Sequence, residues 1–347
     1  MRGGAALPYR VPPPAPADIV QWPAAFGRRF IVFVDVEEEF DWSAPLDCRN
    51  RSVTAIRAFP AAHACFAERG IGLACMVDHP VACDPAAIDI LSAILADGRS
   101  SIGAQLHSWV TPPYAAMTAA DSYAGNLPRD LEAAKLDTLT DALRSAFGAS
   151  PIAYRAGRYG IGPQTAELLT RRGYRMETSM RARYDYRYDG GPDFSAIGNA
   201  SFRLGSLIEV PLTTVFTGRI RRHGPILFPS LARIPRARGA LARTGLLQRI
   251  ALTPEDMPIK DALEAVRIAI EEDGERLISF SFHSPTVLPG HTPYVRNADD
   301  LARFWVWWDR MFDLLDRLDV MPASPMDVLR AFEDMVSRPG RMLVGER

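Results

Sequence analysis

From Phe30 onward the chain alternates short apolar runs with longer stretches of helical periodicity, a pattern that limits it to repeated βα units. "FIVFVDV" leads into a helical stretch over about Ser52 to Arg69, closed by Gly70. "IGLACMVD" leads into a helix over about Asp84 to Ala96, ended by Gly98. A short strand "SIGAQLHS" precedes an amphipathic helix predicted from about Pro128 to Phe147. "IAYRAGRYG" precedes a helix opening at Pro163, where proline loses no bond in the first turn, and stopping at Gly173. Strands "YRMETS", "LIEVPLT" and "RLISFSFHS" follow. In the last strong helix, "NADDLARFWVWWDRMFDLLDRL", Leu301, Phe304, Trp305, Trp308, Met311, Phe312 and Leu315 recur at helical spacing and are assigned to the core. About seven such units with no glycine-rich dinucleotide fingerprint point to a distorted (β/α)7–8 barrel rather than an open doubly wound sheet.

A chain of 347 residues, 48% of them hydrophobic, can fill one such barrel as a single main domain. The expected organisation is a Pro-rich N-terminal extension over 1–29, a barrel over 30–337 and a C-terminal tail over 338–347. Inside the barrel an insertion is expected over about 215–257. From Val215 to Pro254 it carries Arg219, Arg221, Arg222, Arg233, Arg236, Arg238, Arg243 and Arg249 and no acid. It reads as a helical insertion with a solvated arginine face, or as a lid or docking surface for an anion. The formal charge of −1 offers no global field for nucleic acid, so no nucleic-acid partner is expected. Cys48, Cys65, Cys75 and Cys83 form no C-x-x-C pair and read as buried reduced thiols. The N-terminus has no apolar core of signal-peptide length, and no run of about 18 apolar residues marks a transmembrane segment. A cytoplasmic protein is expected, and an oligomer is compatible with the sequence.

Chemistry collects at the strand ends. In "FIVFVDVEEEFDW" alternation puts Asp35, Glu37 and Glu39 on one face and Glu38 on the other. Two carboxylates crowded into one barrel mouth need a proton, a metal or an arginine. "SIGAQLHSW" sets Gln105 and His107 on one face, "YRAGRYG" brings Arg155 and Arg158 to another strand end, and "LISFSFHSP" runs into His283. A guanidinium on Arg155 could neutralise and orient Asp35.

The ordered set "FVDVEEEF", "IGAQLHSWVTPP", "YRAGRYG", "GPDFS" and "FSFHSPTVLPGHTPYV" resembles the polysaccharide deacetylases of the nodulation-type carbohydrate esterase family, over roughly residues 30–332. The resemblance implies a hydrolase that removes an acetyl group from an amino sugar or surface-polysaccharide precursor, commonly with one divalent metal such as zinc. It implies Asp35 as base, His283 as acid, Arg155 as the residue orienting the base, and Glu37 and His107 as metal ligands. It implies substrate contacts from Gln105, Trp109, Arg158, Tyr159 and Asp193. The second motif carries Gln105 and a position near Trp109 where the family usually has histidines, and the second acid of the first motif is Glu37 rather than aspartate. Three arrangements therefore stay open: a metal held by Glu37, His107 and a further acid, Glu39 or Asp193; a metal-free site using Asp35 or Glu37 with His107 and His283; or a barrel that has lost catalysis and binds glycan or a protein partner.

Overall fold

A computed structural model describes residues 8–232 and 234–337. Its frame is a curled sheet of seven parallel strands: β1 (Arg28–Val36), β2 (Leu73–Val77), β3 (Ser101–Leu106), β4 (Ala153–Ala156), β5 (Met176–Glu177), β7 (Leu207–Glu209) and β10 (Leu277–His283). The order is β10-β1-β2-β3-β4-β5-β7, with β6 (Phe202–Leu204) antiparallel at the far edge and β11 (Val320–Pro322) added to the start of β1. The architecture is the expected distorted (β/α) barrel.

Period-two alternation sorts β1 between two environments. Phe30, Val32, Val34 and Val36 join the large core between sheet and helices, which includes Phe304, Trp308, Met311, Phe312 and Leu315 of the helix Ala298–Arg317. Ile31 and Phe33 point the other way, into the barrel with Ala74, Met76, Met176 and Ile208. Asp35 shares their parity, so it emerges at the mouth just above a packed apolar interior.

Among the described residues no strand pair closes the barrel; the gap is bridged by Leu252, whose carbonyl accepts from Ser281 N–H of β10, and by side-chain bonds. Val210 N–H donates to Glu177 O and Leu212 N–H to Met180 O, which carries the chain past β5. Thr213 and Ser279 of β10 then exchange bonds at 2.9 Å, each backbone N–H donating to the other's hydroxyl oxygen, while Ser279 Oγ donates to Pro211 O.

The helix predicted from Ser52 forms as a 3-10 turn, Thr54–Ala58, running into Phe59–Ala67. The arginine-rich stretch is a two-stranded antiparallel unit, β8 (Thr214–Thr217) with β9 (Gln248–Ala251), enclosing helices Gly224–Leu231 and Ala237–Arg243 around Phe216, Phe228 and Leu247. The N-terminal stretch is irregular but attached: Val11, Val20 and Phe26 are buried, and Ile19 bridges to Phe202. The tail expected over 338–347 lies outside the described residues. Of the four thiols only Cys75 is buried; Cys48 and Cys83 are exposed, because they sit in loops rather than on strands as the apolar reading of cysteine assumed. Among the described residues no helix is long and apolar enough to cross a membrane.

Candidate active site

Register brings the two ends of the chain together. β1 and β10 pair so that Asp35 lies beside His283, and β3 pairs with β4 so that Gln105 lies beside Arg155. These tips meet at the floor of a cavity of about 630 Å³, a size suited to a small ligand.

Arg155 is 1% exposed and donates to Asp35 Oδ1 at 2.5 Å, with its Nε on Thr178 O. The other oxygen, Oδ2, faces His283 Nε2 at 3.7 Å, too far for a hydrogen bond and close enough to share a small ligand atom. His283 is held from behind: its Nδ1 lies 2.8 Å from Glu255 Oε2, and its backbone N–H donates to Glu255 Oε1. Burial opposes the charge on the imidazole, but Glu255, Glu37 and Asp35 outweigh it and push its pKa up to about 10. At neutral pH His283 is therefore a proton donor. Glu255 is held below the usual carboxylate range, since His283, Thr286 and the backbone N–H it accepts overcome the cost of its burial.

Glu37 accepts from Gln105 Nε2 at 3.1 Å and lies 3.4 Å from His107 Nε2. Burial raises its pKa to about 7 against the pull of His283 and His107. Behind His107, and off the cavity lining as the alternation expects, Glu38 is fully buried. Its carboxylate accepts from Trp109 Nε1 at 2.6 Å and meets His107 Nδ1 at 2.7 Å, and its backbone N–H donates to Asp78 Oδ2. Burial and the adjoining Glu38 push the Asp78 carboxyl well up, and burial raises Glu38 to about 7. A second buried pair, Glu177 and Glu209, lies in the electrostatic reach of Arg155, and burial raises both.

Of the residues named from sequence, Asp35, Glu37, Gln105, His107, Trp109, Arg158, Tyr159 and His283 line the cavity, and Arg155 backs Asp35. Asp193 does not line it: its buried carboxylate lies near Arg10 and Arg187 and caps Ser195 N–H, so it holds a loop together. Glu39 is also removed from the mouth, accepting from Ser52, Thr54 and Ala55 and meeting His291 at 3.1 Å. Both fail as further acids for a metal. The sequence reading passed over Glu38, Asp78, Glu255, Arg181 and the aromatic wall of Phe40, Trp42 and Tyr294. Asp78 was findable, since it ends "LACMVD" just as Asp35 ends its own strand.

The chain superposes on a structure described as a polysaccharide deacetylase from Mycobacterium smegmatis with a TM-score of 0.51, at 17% identity, over 96% of this chain and 99% of that one. It superposes on PuuE allantoinase with the same TM-score, at 14% identity, over 93% of this chain and 94% of that one. At these identities the likeness is one of fold. No protein-family profile matches the sequence, and no curated protein matches it.

Proposed function

We propose that this barrel is a hydrolase of deacetylase type, cleaving an acetyl group from an amino sugar or a surface-polysaccharide precursor. One observation carries the reading. An arginine-clamped carboxylate and a carboxylate-clamped imidazolium face each other 3.7 Å apart in an aromatic-walled cavity.

In this reading Asp35 Oδ2 takes a proton from water as the water oxygen bonds to the acyl carbon. The carbonyl oxygen becomes an oxyanion beside the charged His283. As the bond from acyl carbon to sugar nitrogen or oxygen breaks, His283 Nε2 gives its proton to the departing atom, leaving a free amine or hydroxyl and acetate. Glu255 fixes the imidazole and keeps it charged until that step, and Arg155 holds and aims the Asp35 carboxylate.

A divalent metal fits these residues poorly. Outside the Asp35–His283 pair the nearest donors are Glu37 and His107 Nε2, with Nδ1 of His107 held by Glu38 in the manner of a metal-bound histidine. The next donor is the Gln105 amide, whose Oε1 is buried without a partner, and zinc favours nitrogen, sulfur or carboxylate ligands. Asp35, Glu37 and His283 also converge, but Asp35 Oδ1 is already held by Arg155 and His283 Nδ1 by Glu255. No step is therefore assigned to a metal.

Acetate release from N-acetylglucosamine oligomers, with metal analysis of the same preparation, tests the reading. Asp35→Asn is expected to lower turnover by about 10²- to 10⁴-fold, the usual span for a general base, with an unchanged circular dichroism spectrum. Failure of the native protein to release acyl groups from any acetylated sugar, with ligand binding intact in Asp35→Asn, would favour a sugar-binding barrel instead.

A further inference from the structure

Two arginines of the cavity wall are occupied mainly on their faces. Arg158 follows β4 and Arg181 follows β5, three and four strands along the sheet from β1 and its acids. The Arg158 guanidinium lies over the Tyr123 ring at 4.3 Å and donates one hydrogen bond, to Ser122 Oγ. Arg181 lies over Tyr184 at 4.1 Å and near Tyr159 at 5.5 Å. Among the described residues no carboxylate comes within 4.0 Å of either guanidinium. Arg181 has the Tyr186 hydroxyl within its reach, and a guanidinium carries five N–H donors in its plane, so most of its edge is uncommitted.

Other charges near this wall do not cancel the pair. Asp189 lines the cavity near Tyr123 and Asp256 faces Arg181, each beyond ion-pair distance. Against them, Arg249 of the arginine-rich insertion stacks on Tyr184 at 3.5 Å, and Arg238 stacks on Phe228 beside it. The backbone is also committed to this arrangement. Arg158 and Tyr159 are successive non-glycine residues at φ 54° and 62°, a costly conformation that persists where the surroundings demand it. Stacked guanidiniums with free edges match the planar, bidentate recognition of a carboxylate or phosphate.

We propose that Arg158 and Arg181 form an anion subsite, so that the substrate is an acylated sugar bearing a carboxylate or phosphate held by this wall while its acyl group reaches Asp35 and His283. The acyl chemistry rests on the hydrolase reading above; the anion subsite does not depend on it. The shared chemistry is an oxyanion on the sugar, from a uronate or from a phosphate ester.

The test compares kcat/KM for an N-acetylhexosaminuronate, N-acetylglucosamine 1-phosphate and neutral N-acetylglucosamine, using the native chain, Arg158→Gln and Arg181→Gln. Binding of the two anionic sugars to Asp35→Asn is measured by calorimetry in parallel. At least a tenfold preference for one anionic sugar is expected. Each glutamine variant should raise KM for that sugar at least tenfold more than it raises KM for the neutral sugar, with melting temperature held. The better of the two anions identifies uronate or phosphate. Equal use of the neutral sugar, or equal losses on neutral and anionic sugars, would overturn the subsite and leave the hydrolase reading standing. Arginine-dependent binding of an anionic sugar with no acyl release from any would support the subsite and remove the hydrolase reading.

Discussion

His283 keeps its proton because three carboxylates surround it, and the consequence is a pH dependence of definite sign. A histidine raised in the folded state stabilises the fold fully below its unfolded pKa of about 6.5, and that contribution fades as pH rises through about 10. Native protein and His283→Gln should therefore differ most in melting temperature near pH 6 and least above pH 10. If His283 is the acid, kcat/KM falls on the alkaline side. Glu255→Gln should move that fall to lower pH by a unit or more, because Glu255 leads the groups that hold the charge. A pH–rate profile reads this directly, and an unmoved alkaline limb would remove Glu255 from the role of positioning residue. Arg155 and Asp35 make a harder pair to dissect. Both are buried, so truncating the arginine strands an anion and costs roughly 3–5 kcal/mol of stability together with activity.

At the scale of elements, strand tips were readable and their supports were not. Asp35, Gln105 and His283 stand out because an apolar run ends in a titratable or amide group, and strand parity then aims them at one mouth. Glu39 departs from that pattern, since parity stops applying beyond the end of β1 at Val36. Glu255 lies in a loop after β9 and Asp193 in a loop before β6, where no periodicity says which way a side chain turns. The close packing behind His107 is a second hidden element. A Cβ on Gly157 would overlap the His107 ring and approach Leu106 O at 2.8 Å, so Gly157→Ala should displace that imidazole. The expected result is at least a tenfold loss of turnover with a smaller change in melting temperature, checked by assay and calorimetry on one preparation. The seam is the third. Ser279→Ala removes the acceptor for Thr213 N–H and the donor to Pro211 O in a buried place, and should cost about 1–3 kcal/mol in denaturant unfolding.

Across the whole molecule, the prolines of the arm before β1 forbid regular structure and give it the look of a loose extension. Its connections show otherwise. Val11 N–H donates to Asp193 O at 3.1 Å and Asp193 N–H donates to Tyr9 O, so the arm pairs with the loop that carries Tyr184 and Tyr186. That loop is itself tied at Phe194 N–H to Tyr184 O and at Tyr186 N–H to Pro192 O, and its tyrosines pack the wall around Arg181. A chain shortened to begin at Val20 keeps β1 and the barrel interior, and should show a severalfold higher KM at nearly unchanged kcat. Equal KM values for the short and full chains would show that the loop holds itself. If the arm does brace it, a protease that nicks the proline-rich stretch during purification would leave two populations in one tube, matched in chemistry and unequal in grip, and a binding isotherm that no single affinity can fit.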